Sequence, residues 1–188
     1  SLISSGDNED MEVVKMMDCV ELLDEPEEEG HDHQGEEPKD EHVWTDPGNA
    51  VLIVEKLAET LSDADPENAD YYNENADAAL DKEYSQTIEN SKRKTLVFGD
   101  RFPFGYLVHA YGLDYISAFP GCSTDTEASA ADIAEIIDYV NENDIPVVFY
   151  IELSSGKTAD TICEATGAKK LLLHSCHNVS KEDFENGV

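Results

Sequence analysis

The histidines are the residues of this sequence best suited to bind a metal ion. His42 lies in Glu41-His-Val-Trp-Thr-Asp-Pro47, and His174 and His177 flank Cys176 in His-Ser-Cys-His. Neutral imidazole is the commonest protein ligand of zinc, and imidazole and thiolate donors suit zinc, copper or nickel better than magnesium or calcium. The two segments therefore indicate a transition-metal site, although on spacing alone a single histidine is more often a surface or capping residue.

A second group of possible metal donors lies in the acidic segment 24–41. This segment holds ten acidic residues together with His31 and His33, and it has no large apolar side chain. Because such a segment cannot bury enough apolar surface to offset its ordering entropy, it is predicted to be a mobile surface loop. Its histidines either gather metal weakly or are simply solvated.

The composition limits the possible partners. The 188 residues include 43 acidic and 12 basic side chains, a formal net charge of -31. Nucleic acid is excluded as a partner, since binding it depends on neutralising phosphates with lysine and arginine. The 40% of hydrophobic residues is enough for a core, and the four cysteines lack the CxxC spacing of zinc fingers, so they are expected to be free thiols. Neither a membrane-spanning run nor a signal peptide is visible in the sequence.

The second half of the chain alternates short apolar runs with helical patterns. This alternation predicts an α/β fold with a parallel sheet flanked by helices. The predicted strands are Thr95–Phe98, Tyr115–Phe119, Ile145–Ile151 and Lys170–Leu173, and the predicted helices are Phe104–Tyr111, Ser129–Asn141 and Lys157–Thr166. Ligands of such sheets bind at the carboxyl ends of the strands. Residues 99–104, 152–155 and 174–177 are therefore expected along one edge.

The first half of the chain is predicted to contain two helices. The apolar spacing over Pro47–Leu61 is that of an amphipathic helix. A second helix is predicted to begin at Pro66, with Asp65 as its N-cap, and to continue without a break to about Asn90. A helix of that length could connect two lobes.

Several of these segments resemble motifs of the zinc and manganese solute-binding proteins of ABC transporters. The segment around His42 is similar to the family motif DPHxWLDP, and the helix start at Pro66 to DPxNxxxYxxNA. Phe104–Leu113 resembles the element AFxYxxxxYGL, Glu127-Ala-Ser resembles EPS, and Ile145–Glu152 resembles the strand IPxxFxE. The motifs occur in the family's order over roughly residues 44–170.

The resemblance implies a metal site between two lobes, in which three histidines and one carboxylate are typical ligands. The second ligand of the family corresponds to His42 and the fourth to His174, and His177 is a further candidate. The third position is occupied by Arg101, which cannot bind a cation because it stays protonated. Either Asp100 substitutes as a ligand, or Arg101 holds a carboxylate such as Asp100 or Glu127 beside the site.

The resemblance also implies an organisation and a function. Residues 1–62 would be a remnant of the N-terminal lobe carrying the acidic loop, 63–92 the long connecting helix, and 93–188 the C-terminal α/β lobe. The expected function is extracytoplasmic capture of zinc, with manganese as the alternative, for delivery to an ABC transporter permease, without catalysis. The protein would be periplasmic or anchored to the membrane, and a second chain could complete a truncated fold. A metal-free adhesion or interaction domain and a zinc metallohydrolase remain alternative functions.

Overall fold

Four parallel strands form the central sheet of the computed structural model, which describes residues 12–25, 38–76, 80–119, 128–179 and 181–186. The order of the strands in the sheet is β2-β1-β3-β4. The strands are β1 Thr95–Phe98, β2 Asp114–Ser117, β3 Val147–Tyr150 and β4 Lys169–Leu172. The α-helices are α1 Pro47–Ala64, α2 Ala69–Asn75, α3 Leu80–Glu89, α4 Gly105–Tyr111, α5 Ala130–Glu142, α6 Lys157–Thr166 and α7 Lys181–Asn186.

The predicted parallel sheet is confirmed. Thr95 pairs with Asp114 and Val147 with Lys169 in parallel register, and β1 meets β3 at Phe98 and Phe149. Because all four strands run in the same direction, their carboxyl ends lie along one edge, which places the segments after β1, β3 and β4 side by side.

The helix ends follow local signals in the sequence. Gly112 and Gly167, predicted as C-caps, both adopt the left-handed conformation, which glycine reaches without steric cost. Ser129 begins α5 with a reciprocal pair of hydrogen bonds: its hydroxyl accepts from the amide of Asp132, and the Asp132 carboxylate accepts from the amide of Ser129. These caps fix where the crossover helices meet the sheet.

The core is built around β1 and β3. On one face, Val97, Val148 and residues of α5 and α6 such as Ile136 and Ile162 form a buried cluster. On the other face, Phe98 contacts the aromatic rings of Phe102 and Phe104 in the segment between β1 and α4. The residues that follow β1 are therefore held by packing rather than left as a loose loop.

A third cluster attaches the first part of the chain to α4. Val43, Ile53 and Tyr106 are its buried members, and side chains of residues 17–23 pack against them. His42 directly precedes a short 3-10 helix, Val43–Thr45, and α1 follows with Asp46 as its N-cap and Pro47 at its first position. This cluster fixes the backbone on the C-terminal side of His42.

The expectation of one unbroken helix from Pro66 to about Asn90 is wrong. A 3-10 turn, Pro66–Asn68, is followed by α2, which ends at Asn75 with Ala76 as its C-cap. Asparagine has a low helix propensity, and the amide of Ala76 bonds to the carbonyl of Asn73 in a tightened last turn. The Asp65 side chain makes no capping hydrogen bond to the backbone of this turn. Its carboxylate accepts instead from two side chains, the Nδ2 amide group of Asn68 and the hydroxyl of Tyr72. The division into lobes and connecting segment stays a prediction.

The acidic segment 24–41 is described only at its two ends. Asp24 and Lys39 form an antiparallel bridge, and the amide of Asp40 donates to the carbonyl of Leu23 at 3.0 Å. Asp40 is buried, so the prediction of a surface loop is wrong for this residue; its backbone and side chain both have partners inside the protein. Residues 26–37, with His31 and His33, lie outside the described residues.

Among the helices of the described ranges, none is long and apolar enough to cross a membrane.

Candidate metal centre

His42 is held by a buried carboxylate. Its Nδ1 lies 2.7 Å from Oδ1 of Asp40, and the two residues are 5% and 8% exposed. The same oxygen accepts the backbone amide of His42 at 2.9 Å. Because a carboxylate only accepts, the hydrogen bond places the ring proton on Nδ1 and the lone pair on Nε2, which is itself buried. This is the tautomer and orientation in which a carboxylate supports a metal-binding histidine.

Helix α4 positions Asp40. The hydroxyl of Tyr106 donates to the carbonyl of Asp40 at 2.9 Å and accepts the amide of Leu23 at 3.0 Å. Burial raises the pKa of Tyr106, so this hydroxyl keeps its proton at neutral pH. Gly105 leaves room for the carboxylate, since a Cβ at this position would lie 2.7 Å from Oδ2 of Asp40.

The segment after β4 brings a second histidine to His42. The ring centroids of His42 and His177 are 5.3 Å apart, and both rings are 5.6 Å from the indole of Trp44. The indole N–H donates to the carbonyl of Ser175 at 2.9 Å, which joins the segment of His42 to that of His177. With zinc–nitrogen bonds of about 2.1 Å at tetrahedral angles, the centroids of two imidazole ligands lie about 5 Å apart. The spacing of His42 and His177 therefore fits two ligands of one zinc ion.

Glu152, at the end of β3, organises the segment that carries His177. Its carboxylate accepts from the Ser175 hydroxyl at 2.6 Å, the Ser175 amide at 2.8 Å, and the amides of His177 and Asn178 at 3.2 and 3.4 Å. Burial alone would raise the pKa of Glu152, but the hydrogen bonds from Ser175 and the Asn178 amide outweigh it, and the pKa is lowered. Glu152 is therefore an ionised anchor of residues 175–178.

His174 lies beside the same carboxylate in a different tautomer. Its Nδ1 accepts the amide of Cys176 at 2.9 Å and is 3.7 Å from Oε2 of Glu152. When the ring is neutral, this hydrogen bond leaves the proton on Nε2, and a protonated nitrogen does not bind a metal. In this conformation His174 is less suited to ligation than His42 or His177.

The other predicted site residues lie at the end of β1. The carboxylate of Asp100 accepts the amide of Arg101 at 2.9 Å and that of Ile151 at 3.3 Å, and thereby ties the end of β1 to the end of β3. The backbone of Arg101, not its guanidinium, bonds to Asp100, and no ion pair to the guanidinium is found among the described residues. Glu127, the other proposed partner of Arg101, is outside them. His109 is exposed on α4.

A cavity of about 470 Å³ opens at this edge of the sheet. Its lining includes Asp100, Arg101, Glu152 and His177, so the structure brings together the three segments that were expected to meet. Within the described residues, no group of three or more histidine, cysteine, aspartate or glutamate side chains is arranged to hold a metal ion. The geometry therefore brings two histidine rings together at this edge of the sheet, without a complete set of metal ligands among the described residues.

The sequence patterns indicated no role for Asp40 or Tyr106, and they placed Glu152 only among the residues expected along one edge of the sheet. The spacing Asp40-x-His42 was a usable signal, because a carboxylate two residues before a histidine can reach its Nδ1. No local pattern indicated that the hydroxyl of Tyr106 would bond to the backbone of Asp40, 66 positions away.

The chain is similar in sequence to known zinc-uptake proteins. Residues 1–186 match the family described as zinc-uptake complex component A, periplasmic. The chain is 33% identical over 197 residues to the zinc-binding lipoprotein AdcA of Streptococcus pneumoniae, covering 99% of the chain. It is 33% identical over 155 residues to the high-affinity zinc uptake system protein ZnuA of Bacillus subtilis, covering 79% of the chain.

A solved structure shows the same fold. The crystal structure of the Zn(II)-bound ZnuA-like domain of S. pneumoniae AdcA superimposes with a TM-score of 0.71 at 29% identity, and covers 100% of this chain and 67% of that one. The chain spans 39% of the length of AdcA and 48% of that of the B. subtilis protein.

Proposed function

The chain belongs to the family of the zinc-uptake complex component A, periplasmic, and we propose that it captures a zinc ion outside the cytoplasm and delivers it to the membrane permease of an ABC importer. The names of its relatives support this function, since AdcA is a zinc-binding lipoprotein and ZnuA a high-affinity zinc uptake protein. Like a periplasmic or lipid-anchored relative, the protein would act at the outer side of the membrane. Its task is binding and release, without catalysis.

The observation that carries the proposal is the buried pair of Asp40 and His42 beside the ring of His177. Asp40 presents Nε2 of His42 as a donor, and Glu152 holds the backbone of His177 in place. We assign His42 and His177 as ligands of the ion. His174 becomes a third ligand once its Nδ1 releases the amide of Cys176 and the ring changes tautomer. Asp100 is the predicted ligand that the geometry favours least, because its carboxylate already accepts two backbone amides.

The chemistry of the donors favours zinc over manganese. Imidazole nitrogen suits zinc, copper and nickel, whereas manganese prefers carboxylate, carbonyl and water oxygens. In the described part of the site the two carboxylates nearest the histidines, Asp40 and Glu152, already accept hydrogen bonds. A manganese ion would therefore find few oxygen ligands there.

Elemental analysis of the purified protein tests the proposal. The wild-type chain, dialysed against trace zinc and manganese together, should retain about one zinc per chain and little manganese. His42→Ala should lose this zinc, and His109→Ala, an exposed histidine on α4, should retain it. Equal zinc in wild type and His42→Ala, or a preference for manganese, would contradict the proposal.

A further inference from the structure

Trp44 lies beside both imidazoles of the candidate site and is the only tryptophan of the chain. Its ring centroid is 5.6 Å from that of His42 and 5.6 Å from that of His177. The indole is held at its N–H, which donates to the carbonyl of Ser175 at 2.9 Å. Ser175 is 3% exposed, and its amide and hydroxyl both donate to the carboxylate of Glu152. The indole is therefore anchored beside the two rings.

The two imidazoles depend on the indole to different degrees. His42 is 5% exposed, and its Nδ1 is bonded to the carboxylate of Asp40. His177 is exposed, and the hydrogen bond from its backbone amide to Glu152 leaves the side chain free to rotate about its own bonds. The imidazole of His177 contacts the rings of His42 and Trp44. Trp44 is thus the neighbour that restrains His177 relative to His42.

The distance between the two imidazoles distinguishes one coordination geometry from another. For metal–nitrogen bonds of about 2.1 Å, the centroids of two imidazole ligands lie about 5.2 Å apart at the tetrahedral angle. At the right angle between neighbouring ligands of a tetragonal or octahedral ion, such as nickel or manganese, they lie about 4.6 Å apart. The centroids of His42 and His177 are 5.3 Å apart, which matches the tetrahedral value. Because only the angle between these two ligands enters, the match does not depend on which groups complete the coordination.

We propose that Trp44 determines the metal specificity of the site, because it holds the imidazole of His177 at the tetrahedral spacing from His42 and so disfavours ions that need ligands at right angles. The inference rests on the proposed function and adds a positioning residue whose effect is on the choice of metal. Zinc accepts the tetrahedral angle, whereas nickel would have to draw His177 away from the position that the indole restrains. By donor type alone, imidazole suits nickel as well as zinc, so the spacing supplies a discrimination that the histidines themselves lack.

Competition between zinc and nickel in Trp44→Leu tests the inference. Leucine keeps an apolar side chain but loses both the flat ring and the N–H. The preference for zinc, measured as the ratio of the two dissociation constants, should fall at least tenfold, because zinc loses a favourable spacing and nickel gains a flexible pair of ligands. Trp44→Phe, which keeps a ring, should lie between. Tyr71→Leu removes an exposed ring on α2 and should retain the wild-type ratio.

Cobalt supplies a spectroscopic measurement, because tetrahedral Co²⁺ absorbs visible light far more strongly than octahedral Co²⁺. The cobalt-loaded wild type should show the intense absorption, and Trp44→Leu should show a weaker one. Equal losses of zinc and nickel affinity with an unchanged cobalt spectrum would overturn the inference while the proposed function stands, and so would a wild type that binds nickel more tightly than zinc. A wild-type chain that binds neither zinc nor cobalt overturns both. If circular dichroism shows that Trp44→Leu has failed to fold, the ratio in Trp44→Phe decides.

Discussion

Trp44 donates its indole N–H to the carbonyl of Ser175 at 2.9 Å, and this hydrogen bond joins the two segments that carry His42 and His177. The donor and the acceptor are 131 positions apart in the chain. The indole also contacts both imidazole rings, with centroids 5.6 Å away in each case. The indole therefore contacts both imidazoles and helps to set their spacing.

Trp44→Phe should weaken zinc binding moderately. Phenylalanine keeps an aromatic ring beside the histidines but loses the hydrogen bond, whose net contribution of about 0.5–1.5 kcal/mol corresponds to roughly 2–10-fold in affinity. Calorimetric titration of zinc measures the change. Tyr71→Phe, at an exposed position on α2, is the control and should bind as wild type does. Unchanged affinity in Trp44→Phe would mean that this contact does not set the spacing of the histidines.

Asp40→Asn should weaken zinc binding by about 10–100-fold, the range typical of losing the partner of a metal-bound histidine. The asparagine amide no longer holds the imidazole with a full negative charge, so the donor strength of Nε2 falls. Competition with a chelator of known affinity measures the effect. Asp138→Asn removes the same charge from the exposed face of α5 and should bind zinc normally. If both variants lose affinity equally, the effect is one of net charge and not of the contact with His42.

Gly105→Ala should displace Asp40 and weaken zinc binding, since the new Cβ would lie 2.7 Å from Oδ2 of that carboxylate. A double-mutant cycle isolates the cause. In the Asp40→Ala background the oxygen is gone, so Gly105→Ala should add little further loss. Equal losses in both backgrounds would show that Gly105 acts through the start of α4 instead.

The ionised form of Glu152 should stabilise the metal-free protein in a pH-dependent way. Because the pKa of Glu152 is lowered from its ordinary value of 4.5, its stabilisation is fully present above that pH and is lost as the pH falls through the lowered value. The difference in free energy of unfolding between wild type and Glu152→Gln should therefore be constant from about pH 7 to 5 and shrink below about 4.5. Denaturant titrations across this range provide the measurement, with the exposed Glu55→Gln as the control. A difference that persists undiminished in acid would contradict an ionised anchor.

The sheet could be predicted from the sequence because the patterns that indicate its strands and helix ends lie within short segments of the chain. Val97 and Val148 lie in continuous apolar runs typical of strands buried on both faces, and Gly112 and Gly167 mark helix ends through their backbone conformation. The break after Asn75 was missed because the apolar stripe continues past it, while the asparagines that end the helix carry a weaker signal than proline or glycine.

The candidate site could be predicted from the sequence only in part, because contacts between residues far apart in the chain set its geometry. His42 and His177 could be named from residue type, yet their proximity depends on Trp44 and on the hold of Glu152 over residues 175–178. In the sequence, Asp40 is one of ten acidic residues in a predicted surface loop. In the structure, the hydroxyl of Tyr106 donates to its backbone carbonyl and holds it in place. Burial of a short polar segment by a remote helix leaves no periodicity in the sequence.

Calorimetric titration of zinc into wild type, His42→Ala and His177→Ala tests the central assignment most directly. The wild-type chain should bind one zinc ion tightly, and each alanine variant should lose at least tenfold in affinity, because each removes one of the histidines assigned as ligands of the ion. His109→Ala should match the wild type in both affinity and stoichiometry. A His42→Ala protein that keeps its fold and still binds one zinc with wild-type affinity would show that the ion is held elsewhere.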